Sequence, residues 1–103
     1  MVNPKFQAYS LAVSLYRLSQ GVSCPSELRS QLLRASSSVA LNLAEGSGKL
    51  SPAERRRYFG IALGSLREVQ AILDLAPAPS PQILGVSDQL GAYVYRLCFP
   101  RTR

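Results

Sequence analysis

Residues 31–76 read QLLRASSSVALNLAEGSGKLSPAERRRYFGIALGSLREVQAILDLA, and this stretch decides the fold. Its first half sets Leu32, Val39 and Leu43 four or seven residues apart, the spacing of one face of an α-helix, and Leu28 just upstream extends the stripe. Its second half repeats the pattern with Tyr58, Ile61, Ala62, Leu66, Val69, Ile72, Leu73 and Ala76, a broad apolar arc with Ser65 near its middle. Gly46, Gly48 and Ser51-Pro52 separate the two. Glycine commonly follows a helix end. A serine before proline opens the next helix, because its hydroxyl accepts from an orphan N–H and proline has no N–H to leave unpaired. Ser51 with Glu54 completes a capping box.

The same punctuation recurs on both sides. Pro4, Pro25 and Pro81 each open a helical pattern; Asn3 and Ser80 are good caps and Cys24 is the weakest. Gly21 marks one end, and Pro77, Pro79 and Pro81 stop another. The spacing predicts helices over about 4–19, 25–46, 52–76 and 81–98, and no strand pattern competes. Residues 1–103 fit a single domain, and short connections force successive helices to run antiparallel. The expected fold class is all-α, an antiparallel up-down four-helix bundle.

The helices are unequally amphipathic. The fourth is ordinary, with Ile83, Val86, Leu90, Tyr93, Val94 and Leu97 on one arc and Asp88, Ala92 and Arg96 opposite. In the first, Phe6, Tyr9, Val13 and Tyr16 form one stripe and Leu11, Leu15 and Leu18 a second. One stripe serves the core; the other calls for another subunit, or the core-facing arc is wide. In the second helix, ASSSVALNLA from Ala35 to Ala44 carries no charge, which a solvated face would not normally tolerate. Arg34, Ser38, Asn42 and Glu45 share the side away from its core stripe, and Ser36 falls at the stripe's edge. Apolar residues make up 47% and charged residues 17%, below the usual quarter or so, which points to self-association. Gly60 and Gly64, opposite the third helix's apolar arc, each cost about 1 kcal/mol against alanine. Close contact with another helix or with phosphate would explain them, and so would simple tolerance. Ser65 lets a neighbouring helix approach and can bond its own i−4 carbonyl.

Much chemistry is excluded. There is no histidine, and Cys24 and Cys98 lie far apart with no further ligand near either, so no metal or redox spacing exists. With no signal peptide and no apolar run near the roughly 18 residues of a membrane span, the expectation is a soluble cytoplasmic protein with two free thiols and no membrane partner. Glu45 and Glu68 could form a carboxylate pair for acid–base or metal work, but metal sites of helical bundles pair Glu with His. Asn42, Glu45, Ser65 and Glu68 are better read as a structural polar network fixing helix register or a subunit interface. Ser36, Ser37 and Ser38 have no base nearby and read as small packing residues. No catalytic residue, cofactor or metal is expected.

Net charge is +6, carried by ten arginines and two lysines. Arginine's planar fork suits phosphate, although GC-rich coding also enriches arginine over lysine. Lys49, Arg55, Arg56 and Arg57 cluster at the turn between the second and third helices. Arg67 extends the cluster, falling almost directly below Arg56 on the same face. The helix N-terminus adds partial positive charge. The patch reads as a phosphate-binding surface for RNA or DNA, salt-sensitive and indifferent to sequence. The plainer alternative is a solvated helix start partly neutralised by Glu54 and Glu68. Arg17, Arg29 and Arg34 widen the patch or pair with Glu27 and Glu45, and Arg101 and Arg103 add loose attraction from the tail. No aromatic interleaves with these arginines in a way that supports base stacking.

Gln31 to Ala76 closely resembles the four-helix-bundle family of bacterial 23S rRNA intervening-sequence proteins, which includes the accessory variability determinant proteins of diversity-generating retroelements. The resemblance rests on Asn42-Leu-Ala-Glu45-Gly46, Ser51, Ile61-Ala62, Gly64-Ser65-Leu66 and Glu68, each weak singly and strong together. It departs at Cys24, where members often have an aromatic, and the last helix matches only in pattern. The resemblance implies a ring-like homopentamer with a positive surface. In the retroelement branch it implies a partner of a reverse transcriptase that binds RNA or DNA. The resulting expectation is a non-catalytic, homo-oligomeric nucleic-acid-binding accessory protein. The alternative is a structural or protein-interaction module whose surface binds an acidic partner protein.

Overall fold

The structure, a computed structural model, describes residues 3–100, so Arg101 and Arg103 lie outside the described residues. Four helices follow one another: α1 (Pro4–Ser19), α2 (Ser26–Ser47), α3 (Pro52–Leu75) and α4 (Pro81–Cys98). Three begin at side-chain caps read from the sequence. Asn3 Oδ1 accepts from the Lys5 N–H at 2.8 Å, Ser51 Oγ from Glu54 at 3.3 Å and Ser80 Oγ from Ile83 at 3.2 Å. Each of these bonds satisfies a donor that the first helical turn leaves orphaned.

Helix α2 departs from expectation at both ends. It starts one residue later than predicted, with Pro25 rather than Cys24 in the cap position and no side-chain cap bond. It also runs through Gly46, which is buried within the helix rather than a terminator. The reason is packing. A β-carbon at Gly46 would lie 2.8 Å from Phe59 Cε1 and 3.0 Å from Tyr58 Cβ, so only a bare Cα lets α2 close this tightly on α3. Phe59 itself, 4% exposed, was missing from the apolar arc read off the sequence. Helix α2 ends instead at Gly48, whose N–H tightens onto Glu45 O at 3.2 Å. Helix α3 ends at Leu75, one residue short of expectation, because Ala76 is extended before Pro77. Gly46→Ala should therefore lower stability despite alanine's helix propensity. Overpacking costs about 1–3 kcal/mol against a propensity gain of about 1. Chemical denaturation would show an unchanged slope and a lower midpoint.

Each helix packs against two neighbours, α1 on α2 and α4, and α3 on α2 and α4, so the chain closes a square. The register between α2 and α3 is antiparallel, since Arg34 meets Glu68, Ser38 meets Ser65 and Gly46 meets Phe59. The α1–α2 register is antiparallel too. Arg29 Nη1 donates to Gln20 O at one end, and Phe6 and Tyr9 share a groove with Ala44 and Ser47 at the other. The link Ala76–Ser80 returns α4 along α3, and the bundle measures 43 × 24 × 19 Å.

On α1 the inward face is Ala8, Ala12, Leu15 and Ser19, all at 0% exposure, with Leu11 and Leu18 packed at its margin. Alanines win the centre because they let the helix axes approach. The Phe6 stripe is left outside, where Phe6 is 64% exposed. Leu32, Val39 and Leu43 of α2, Leu66 and Val69 of α3, and Leu90 and Val94 of α4 complete the core. Its buried hydroxyls mostly bond backward along their own helices. Ser19 donates to Leu15 O at 2.7 Å and Ser36, fully buried rather than at the edge, to Leu33 O at 3.3 Å. Ser87 Oγ is buried with no partner.

Candidate functional site

One strip of polar groups runs along the outer seam between α2 and α3, because residues 34, 38, 42 and 45 recur on the same side of α2 and Lys49, just past its end, reaches back to Glu45. Arg34 pairs with Glu68 at one end, and Lys49 pairs with Glu45 at 3.0 Å at the other. Midway, the Ser38 and Ser65 hydroxyls bond at 2.8 Å, and Asn42 Nδ2 donates to Ser38 O at 2.9 Å and to Ser38 Oγ at 3.1 Å. Ser65 thus bonds across the seam rather than to its own helix. Asn42, Glu45, Ser65 and Glu68 all lie on this strip, but as three separate clusters. Glu45 and Glu68 stand roughly 16 Å apart along the axis, since Glu68 meets Arg34, eleven residues from Glu45. Each carboxylate is committed to a cation, and the two are too far apart for paired acid–base chemistry. Among the described residues no group of three or more metal-ligating side chains converges.

The basic constellation divides by what each cation already holds. Hydrogen bonding to Glu45, reinforced by that carboxylate's charge, raises the Lys49 ammonium above its ordinary pKa. Arg55 turns inward to the α2–α3 turn, where its Nη1 donates to Lys49 O at 3.0 Å and to Leu50 O at 2.8 Å. Arg55 thus pairs two carbonyls of the turn that follows α2 and ties the turn to the start of α3. Arg56, Arg57 and Arg67 are exposed and, among the described residues, have no carboxylate within salt-bridge reach. Arg67 holds only Gln70 Oε1, at 2.9 Å. Arg17 lies near the other end of α1, roughly 16 Å along the axis from Phe6 and so away from the α2–α3 turn. Arg55→Met should lower stability by about 1–2 kcal/mol, as hydrogen bonds from a charged donor disappear. Arg56→Met should leave the thermal midpoint unchanged, and a melting series would separate the two.

Gly60 and Gly64 sit on the outer side of α3 between Arg56 and Arg67. An added β-carbon at either would meet nothing within 4 Å. No helix of the same chain presses on them. One aromatic ring lies against these cations, though paired with them rather than free for base stacking. The Tyr58 ring has Lys49 Nζ 5.2 Å and Arg57 Cζ 5.3 Å from its centroid. Arg67, at the α4 edge of this same outer face, and Gln70 border an open cleft shared with Asp88, Gly91, Tyr95, Arg96 and Phe99 of α4 and its cap.

Residues 6–79 match the family described as 23S rRNA-intervening sequence protein, a span that takes in α2 and α3 complete and nearly all of α1. The chain belongs to this family. The matched span holds the polar seam, the Gly46–Phe59 contact and every arginine from Arg17 to Arg67, while α4 lies outside it. No match to the chain was found among curated proteins or among solved structures. Membership in the intervening-sequence family agrees with the four-helix architecture, and none of the described helices is long and apolar enough to cross a membrane.

Both cysteines are free. Partial burial pushes the Cys98 thiol above its ordinary pKa.

Proposed function

We propose that this family member is a non-catalytic accessory protein that assembles with copies of itself and binds RNA or DNA through phosphate contacts. The observation that carries this reading is the set of exposed guanidiniums, Arg56, Arg57 and Arg67, which have no carboxylate partner among the described residues and flank the bare backbone of Gly60 and Gly64. A phosphate can approach a glycine backbone closely, and arginine forks bind its oxygens two at a time. Within a helix, such glycines are costly unless something outside the chain uses them.

Self-assembly is supported by a second surface. Phe6 (64% exposed), Tyr9 and Leu41 (68% exposed) face outward, and the α2–α3 register brings Ile61 alongside Leu41. No charged side chain of α2 lies between Arg34 and Glu45. A second copy, presenting the same uncharged surface, satisfies such a face better than an acidic protein would. Family resemblance points to a pentameric ring. In the retroelement branch the ring's protein partner would be a reverse transcriptase, and a reverse-transcriptase gene beside this one would identify that branch.

Electrophoretic shift of labelled RNA and DNA tests the proposal. Binding should be strong near about 50 mM salt and fall by orders of magnitude toward about 200 mM. Absence of any shift at the lower salt overturns it and favours the other reading, a protein-interaction module using the same arginines on an acidic partner.

A further inference from the structure

We infer that the cleft between α3 and α4 grips an unpaired segment of the nucleic acid, stacking bases on Tyr95 and Phe99 while Arg67 and Arg96 hold the flanking phosphates. This rests on the nucleic-acid reading above and names the form of polymer bound.

The cleft has a volume of about 610 Å³ and is open along its length. At one end Tyr95 and Phe99, one turn apart, place their ring centroids 4.8 Å apart at 45°, and both rings are more than half exposed. Two adjacent rings turned to solvent are an expensive arrangement for a free surface, and here they border charges rather than an apolar rim. Arg67 and Arg96 flank them from the two helices. Arg96 lies along α4, its Nε donating to Ala92 O at 3.4 Å and its guanidinium 5.5 Å from the Tyr93 centroid. Arg67 is steadied by Gln70 Oε1. Among the described residues neither arginine has a carboxylate within salt-bridge reach.

The floor is kept low by small residues. Gly91 is buried, and a β-carbon there would only touch Gln70 Nε2, at 3.4 Å. Asp88 lines the cleft two turns before Tyr95, roughly 10 Å along the axis. A carboxylate there repels phosphate, so the strand's phosphates belong at the Tyr95–Phe99 end, where the two arginines are.

Duplex bases are already stacked on each other and present no free face, whereas every unpaired base has one. A groove that combines cations with an exposed aromatic pair is therefore a fit for single strands. Sequence preference should be weak, because stacking tolerates any base.

Fluorescence anisotropy near about 50 mM salt tests the proposal with labelled oligothymidylate, a strand of equal length made largely abasic, and a duplex. The wild-type protein should bind the oligothymidylate about tenfold or more tighter than the abasic strand. Tyr95→Ala and Phe99→Ala should each remove about tenfold of oligothymidylate affinity. Both rings are exposed, so the variants should keep the wild-type circular dichroism, and their duplex affinity should not move. Equal binding of base-bearing and abasic strands, or wild-type affinity in both variants, overturns this inference alone. A protein that binds none of the three probes overturns it together with the function proposed above.

Discussion

Changing Arg56, Arg57 and Arg67 together to glutamine should lower affinity for RNA or DNA by roughly 10² to 10³-fold near 0.1 M salt, with the fold intact. Each phosphate contact contributes about 0.9 to the slope of log affinity against log salt, so the slope should flatten by nearly three. Glutamate in their place should do more, by adding repulsion. These three are chosen because they hold no carboxylate and stand exposed. Substitutions at such positions normally move stability by no more than about 0.5 kcal/mol. Arg55 would confound the experiment, since its guanidinium holds the Lys49 and Leu50 carbonyls of the turn. Arg34 would confound it for another reason, as its loss frees Glu68. Titrations at several salt concentrations separate a lost phosphate contact, which changes the slope, from damage to the fold, which does not.

Leu41→Glu combined with Ile61→Glu should convert the assembled protein to monomer across the micromolar range, a change of more than about a hundredfold in dissociation constant. Leu41 is 68% exposed and contributes little to the bundle, while Ile61, 42% exposed, contributes more, so the melting curve of the monomer should stay cooperative at a lowered midpoint. In a contact between copies, every interface would bury charges without partners. Each uncompensated buried charge costs several kcal/mol. If nucleic acid bridges several copies, affinity should fall with the assembly even though no arginine has changed.

The backbone plan was readable because it depends on local chemistry. Asn3, Ser51 and Ser80 cap helices through bonds spanning two or three residues, and proline opens a helix whatever surrounds it. What depended on register could not be read that way. Gly46 looks like a helix stop until Phe59, thirteen residues on, is packed against it. Arg34 and Arg67 are both solitary cations in the sequence. Only the α2–α3 register commits the first to Glu68, while Arg67 faces α4 and Tyr95, twenty-eight residues later. The choice between the stripes of α1 was likewise tertiary. Periodicity weighs Phe6 and Leu15 equally, but the centre of a tight bundle favours the face that also carries Ala8 and Ala12. Cation–aromatic contacts at Tyr58 were nearly local, and the spacing of Lys49, Arg57 and Tyr58 across the turn was the signal that would have found them.

The proposed function depends on copies of the chain covering the uncharged surface from Phe6 to Ile61 and pooling their arginines. Sedimentation velocity of the wild-type protein at low micromolar concentration measures this directly. The expected result is one species at a multiple of 11.2 kDa, five-fold if the family ring is kept. A single sharp boundary at 11.2 kDa, unchanged as concentration rises, would contradict it.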